Sequence, residues 1–204
     1  MVRYFKETMT ILHYTLGLAP QRSGGLTAYA TDLINEQQTL SNVVLLYPQG
    51  WRWWSKKITW KGEGKRSGIE CYGLNNSLPF PVPLLYGVRS PHDFISQRVM
   101  SQEQMESLYN QIKPDVFHVH TLMGLPKELL VFLKNRGVRL IYSAHDYYGI
   151  CPKVNMINNR GEVCCAPSEQ GCRECNRGSK PTLFLRLYNS KIALQLKSYV
   201  KKEL

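Results

Sequence analysis

No apolar run in this 204-residue chain approaches the roughly 20 residues that a bilayer-spanning helix needs. The N-terminal stretch MVRYFKETMTILHY also lacks the uninterrupted apolar core of a signal peptide. Both absences point to a cytoplasmic protein. Acidic residues are scarce, at 15 Asp and Glu against 26 Lys and Arg, which leaves a formal net charge of +11. Such a surface attracts nucleic acid, an anionic membrane or a phosphorylated substrate, and charge alone does not choose among them. Internal repeats and low-complexity tracts are absent, so the chain reads as globular. With 43% hydrophobic residues it can bury a core, and its length suits one domain or slightly more.

The positive charge is concentrated in two segments. WRWWSKKITWKGEGKR (51–66) holds six Lys/Arg against Glu63, together with all four tryptophans. It suits sugar stacking, a membrane surface or single-stranded nucleic acid, or else a plain hairpin with a solvated basic face. The tail from Asn176 onward holds seven Lys/Arg against Glu203.

Along the chain, apolar runs and helical stripes alternate. MTILHY (9–14) reads as a strand, followed by a Gly-rich loop. LTAYATDLINEQQTL reads as a helix with Leu26, Tyr29, Ala30, Leu33 and Ile34 on one face. NVVLLY (42–47) is a second strand, which makes a βαβ unit of a parallel sheet. Residues 48–89 hold one further strand, at GIECYG. Ser90 and Pro91 mark the start of a helix reaching Ile112. VFHVHT (116–121) is a strand, PKELLVFLKNRG a helix closed by Gly137, and VRLIYSAHD another strand. The expected fold is α/β, a Rossmann-like doubly wound and mainly parallel sheet with helices on both faces. An irregular Cys-rich insertion (147–181) follows. Residues 182–203 read as an amphipathic tail helix with Leu185, Tyr188, Ile192, Leu196 and Tyr199 in one stripe.

In an open parallel sheet, ligands bind beyond the carboxyl ends of the strands. Three ends here carry polar residues. The first strand leads to Ser23-Gly24-Gly25 before a helix, where backbone N–H groups and the helix dipole favour an anion. The strand at 116–121 carries His118 and His120 on one face. The strand at 139–146 ends in His145 and Asp146. Each feature also has a structural reading: a turn for the glycines, a satisfied core residue for one histidine of the pair, and a capping turn for His145-Asp146. Their convergence on one sheet edge is what favours a ligand crevice.

The stretches SGGLTAYATDL, IKPDVFHVHTLMGLP and LIYSAHDYYGICPK, in that order and backed by the Cys cluster, resemble the N-terminal half of a family 4 glycosyltransferase of the GT-B fold. They span most of residues 23–175. In that family two Rossmann-like domains face each other across a cleft. The N-terminal one mainly holds the acceptor, the C-terminal one binds the nucleotide-sugar donor, and transfer retains the anomeric configuration without a catalytic metal. The resemblance therefore makes residues 1–204 the N-terminal domain of a hexosyltransferase-type enzyme, with the C-terminal donor domain absent. It implies a polysaccharide or lipid-linked saccharide acceptor and a cytoplasmic protein in peripheral contact with the inner face of the membrane. Gly24 and Gly25 would lie against the donor diphosphate, His145 beside the donor sugar as the catalytic-site residue, and His120 and Asp146 on the acceptor side. No two glutamates stand eight positions apart, as the family's donor domain requires, and no Asp-x-Asp marks a metal-dependent alternative. Alone, the chain is expected to be inactive in transfer.

Cys151, Cys164, Cys165, Cys172 and Cys175 fall within 25 residues, with Cys172 and Cys175 in a CxxC pair. The insertion has little apolar content, so a structural zinc on Cys151, Cys164, Cys172 and Cys175, with Cys165 as substitute for Cys164, would staple it. Reduced thiols and disulfides are the alternatives, and the spacing is not that of a standard finger. Cys71 reads as a buried strand residue. The competing function is a non-enzymatic, zinc-stabilised binding module using the basic Trp-rich surface on nucleic acid or membrane. The βαβ order and the histidine-bearing strand ends favour the enzyme and make a nucleic-acid partner the less expected one.

Overall fold

A computed structural model describes residues 8–18, 22–52, 55, 57–77, 87 and 99–200, without the side chains of Lys191, Leu194, Lys197, Ser198 and Val200. It is a mixed α/β structure around a six-stranded sheet of order β3-β4-β2-β1-β5-β6. The strands are β1 (Thr10–Tyr14), β2 (Asn42–Pro48), β3 (Thr59–Arg66), β4 (Ile69–Asn75), β5 (Val116–Val119) and β6 (Arg139–Tyr142). Only β3 runs antiparallel to its neighbour.

The helices are α1 (Gly25–Gln37), α2 (Gln102–Ile112), α3 (Lys127–Asn135), α4 (Glu169–Cys175), α5 (Thr182–Tyr188) and α6 (Lys191–Val200). Strand β2 shows why the sheet sits inside two helical layers. Its Val44 and Leu46 join the cluster that holds Met105, Leu108 and Ile112 of α2 and Leu129 and Leu133 of α3. Its Val43, Leu45 and Tyr47 join the opposite cluster, which holds Ile34 of α1. A strand buried on both faces has no polar alternation, which is why NVVLLY reads as one apolar run. On α1 the buried residues are Thr27, Ala30 and Ile34, while Tyr29 is exposed.

Three elements depart from the sequence expectation. Strand β3 was anticipated only as part of the plain-hairpin alternative for the Trp-rich segment. It forms a hairpin with β4 through Ser67 and Gly68, both at positive φ (49° and 84°), the pattern of a two-residue type I′ turn. Few β3 residues are apolar, since Lys61, Gly62, Gly64 and Lys65 are exposed, so the strand gives no hydrophobic signal. The described part of the Trp-rich stretch is thus largely the plain hairpin. Trp60 packs edge-on against Tyr72 at 5.6 Å, and Trp51 lies under Arg186 at 5.9 Å.

The helix expected over 90–112 begins at Gln102. Ser101 caps it by accepting the Gln104 N–H, and Met100 makes a β-bridge to Ile58 instead. The operative signal is Ser101 as N-cap; the Gln104 side chain does not complete a capping box but accepts the Trp60 N–H (3.4 Å). The start expected at Ser90-Pro91 lies outside the described residues. The tail is two helices rather than one. Asn189 ends α5 and returns its side-chain N–H to the Leu185 carbonyl (2.8 Å), and α6 restarts after Ser190. Of the expected stripe, Leu185 is buried, whereas Ile192, Leu196 and Tyr199 are 71%, 62% and 70% exposed. Residues 201–203 lie outside the described chain. None of the described helices is long and apolar enough to cross a membrane.

Candidate functional site

The connection from β1 through α1 to β2 moves the chain one way across the sheet, and β5 returns on the other side of β1. The topological switch point therefore lies between β1 and β5, where a parallel sheet opens a crevice at its carboxyl edge. Backbone pairing holds that edge in register. His120 N–H donates to the Tyr14 carbonyl (2.9 Å) and Ser143 N–H to the Val119 carbonyl (3.0 Å). The loop after β5 is pinned by the Tyr14 hydroxyl, which donates to the Met123 carbonyl (2.8 Å).

Gly24 and Gly25 stand at the start of α1. Gly24 has φ +122°, a conformation closed to most L-residues, and a Cβ added at either glycine would meet nothing within 4 Å. No side chain caps this helix and no acidic residue sits in its first turn. Its N-terminal N–H groups are thus left to solvent or to an anion.

Beside the glycines lies a stack of imidazoles. His13 of β1 pairs in register with His118 of β5, and β-alternation turns His13, His118 and His120 to the α1 face. Ring centroids lie 5.2 Å apart for His13–His118, 5.3 Å for His13–His120 and 4.2 Å for His118–His120. His13 Nδ1 and His120 Nε2 share a hydrogen bond of 3.0 Å, and His118 Nε2 shares one of 2.9 Å with Ser143 Oγ. All three are buried, at 0%, 7% and 1% exposure.

Burial, with His118 beside it, pushes the His13 pKa down to about 4, against a raising contribution from Gln37. Burial together with His118, His13 and His145 brings His120 down to about 3. His118 is lowered too, first by burial and then by His145. The stack is therefore neutral near pH 7, and His13 Nε2 and His120 Nδ1 find no hydrogen-bond partner. The trio's ligand atoms lie within 4.8 Å of one another, so it has the spacing to hold a metal ion. Among the described residues it is the only group of His, Cys, Asp or Glu side chains that does.

The stack continues outward to the crevice mouth. His145 is exposed, with its ring 5.9 Å from His120 and 4.8 Å from Tyr29. The exposure of Tyr29, which helical periodicity placed in the core, is explained by this position over the histidines (5.9 Å to His120). Asp146 is engaged locally, since its Oδ1 accepts the Tyr148 N–H at 2.9 Å. That is the capping turn raised as an alternative for this pair. His120 lies deeper than an acceptor-side residue was expected to lie, and His13 was missed altogether. Its signal was available: a histidine one residue before the end of an otherwise apolar strand that would pair with His118.

A cavity of about 90 Å³ opens on the other side of the glycine loop, lined among others by Gly17, Arg22, Tyr47 and Arg66. Arg22 donates to Asn189 Oδ1 (3.1 Å), and its burial lowers its pKa to about 10. The guanidinium of Arg66 lies over the Tyr47 ring at 5.4 Å.

No cysteine is joined to another by a disulfide. Cys172 and Cys175 are half-buried one turn apart on the inner side of α4, and the Cys175 thiol reaches the Ile157 carbonyl (3.9 Å). Cys165 is exposed, with its sulfur on the Val163 carbonyl. Cys71 is buried in β4, as expected.

The fold and this crevice define a Rossmann-like α/β protein. Comparison with known proteins adds no finer placement, for no family model, curated protein or solved structure matches the chain.

Proposed function

We propose that this chain is the acceptor-side domain of a retaining glycosyltransferase that moves a sugar from a nucleotide-sugar to a polysaccharide or lipid-linked saccharide. The observation that carries the reading is the clustering at one switch point of an uncapped, glycine-led helix start and an exposed His145 backed by neutral imidazoles. In such a reaction the departing nucleotide develops negative charge on its diphosphate. Helix N–H groups at Gly24 and Gly25 stabilise an anion there without reorganising. His145, on the open side of the stack, hydrogen-bonds a sugar hydroxyl and faces the oxocarbenium-like centre. Tyr29 offers a ring for the sugar's apolar face. The two arginines at the neighbouring cavity suit an anionic group on the acceptor. Turnover requires a second domain across the cleft, whereas the diphosphate contact at Gly24 and Gly25 lies on this one.

The test titrates the 204-residue chain with nucleoside diphosphates and with prenyl-diphosphate-linked saccharides, followed by amide chemical shifts. Shifts should concentrate at Gly24, Gly25, Tyr29 and His145. If no nucleotide or saccharide perturbs these residues at millimolar concentration, the reading fails. With the donor domain in place, His145→Ala should lower transfer roughly 100-fold or more, a few kcal/mol of barrier, without lowering the unfolding temperature. Unchanged turnover per folded molecule removes His145 from the site.

The second reading, a nucleic-acid module, rests on the basic Trp-rich segment. Trp51 and Trp60 are engaged by Arg186 and Tyr72, which leaves neither as an open platform for base stacking; Trp53 and Trp54 lie outside the described residues.

A further inference from the structure

We propose that Cys151, Cys164, Cys172 and Cys175 form a structural zinc site that holds the insertion against the crevice. Three local pieces of chain deliver the four thiols. Cys151 closes a turn in which its N–H bonds the Tyr147 carbonyl (2.7 Å) and its own carbonyl accepts the Val154 N–H (2.9 Å). Cys164 follows a small β-knuckle, the Ile157–Val163 bridge, and its N–H bonds the Met156 carbonyl (2.7 Å). Cys172 and Cys175 stand one turn apart on α4, and the Cys175 thiol reaches back to Ile157 in that same knuckle.

The Ile157–Val163 knuckle thus brings Cys175 of α4 beside the chain that carries Cys164. The Cys165 sulfur is exposed and turns to the Val163 carbonyl (3.9 Å) instead, which favours Cys164 as the ligand from this strand. The sulfurs are not within 4.8 Å of one another as the histidines are, so side-chain rotation must close the site on binding.

The insertion has little else to order it. Helix α4 buries no residue, and Ile150, Ile157 and Val163 are 59%, 41% and 74% exposed. Its apolar anchor is Tyr148 and Val154 against Met123, directly behind the crevice. A segment so poor in buried surface gains its order from a cross-link.

The chemistry balances without a redox step. Four thiols release four protons and the zinc takes four thiolates, leaving a centre of net charge −2. The ion's own positive charge drives ionisation of the thiols it binds. Thiolate-only coordination favours zinc over magnesium or calcium.

The test is metal analysis of the whole chain purified without chelator, together with the spectrum after cobalt(II) exchange. One zinc per chain is expected, with thiolate-to-cobalt charge-transfer bands and intense tetrahedral d–d bands. Cys172→Ser combined with Cys175→Ser should abolish both signals and raise amide exchange across 147–181. Cys165→Ser and His118→Gln should retain the zinc. Fresh protein without zinc, iron in its place, a mass showing disulfides, or a cobalt spectrum without thiolate bands would each overturn the proposal. The same holds if zinc survives the double cysteine variant and is lost with His118→Gln. The wild-type spectrum decides the question even if the double variant does not fold. Failure here leaves the reading of the crevice untouched.

Discussion

At the scale of the residue, the buried imidazoles matter most. A histidine left neutral in the fold but free to protonate when unfolded makes the unfolded state bind more protons. The sign follows. The depressed pKa values of His13 and His120, about 4 and about 3, mean full stability above the ordinary histidine range, near pH 7. Stability is then lost as pH falls from the unfolded pKa of 6.5 toward those values. Each fully expressed histidine contributes a slope of about 1.4 kcal/mol per pH unit in that window. The neighbours that set these values are His118, His145 and Gln37. Urea unfolding at steps from pH 7.5 to 4.5 should therefore show a steep decline, partly flattened in His120→Gln. A flat profile in the parent protein would mean that the stack takes up protons while folded.

At the scale of the element, the tail separates two meanings of an amphipathic stripe. Leu185 on α5 is 1% exposed and Leu196 on α6 is 62% exposed, though both lie on one sequence stripe. Leu185→Ala should destabilise the chain by roughly 2–4 kcal/mol through lost burial and a residual cavity. Leu196→Ala should change stability by less than about 0.5 kcal/mol, as exposed positions do. Paired denaturation curves check this, and equal losses would show that α6 is packed in solution. The sequence could not separate the two helices. The break depends on Asn189, which bonds back to the Leu185 carbonyl and also receives Arg22 from the β1–α1 loop. Periodicity sees neither bond. Strand β3 could be read only as one alternative for a related reason, because a solvated edge strand carries no buried face to leave a pattern.

At the scale of the whole molecule, the net charge of +11 predicts weak, sequence-independent attraction to polyanions. Oligonucleotide binding should fall by orders of magnitude between about 50 and 200 mM salt, as counterion release requires. In a variant with Trp53→Phe and Trp54→Phe, tryptophan fluorescence should hardly change, since Trp51 and Trp60 are already packed. Salt-resistant binding with strong quenching would instead favour a nucleic-acid module.

The sequence by itself determined the layered α/β architecture, because β2 and β5 must be covered on both faces while α2 and α3 each bury one stripe. It also placed Gly24, Gly25, His120 and His145 at strand and helix ends, where a parallel sheet presents ligands. What only the tertiary structure decided was which of those ends meet. The crossover that sets β1 beside β5 joins His13 to His118 and His120, residues more than 100 positions apart, and Tyr29 turns outward to cover them. Alternation assigns a side chain to a face. The neighbour it finds there depends on strand order, which is settled by packing of the whole sheet rather than by any local run of residues.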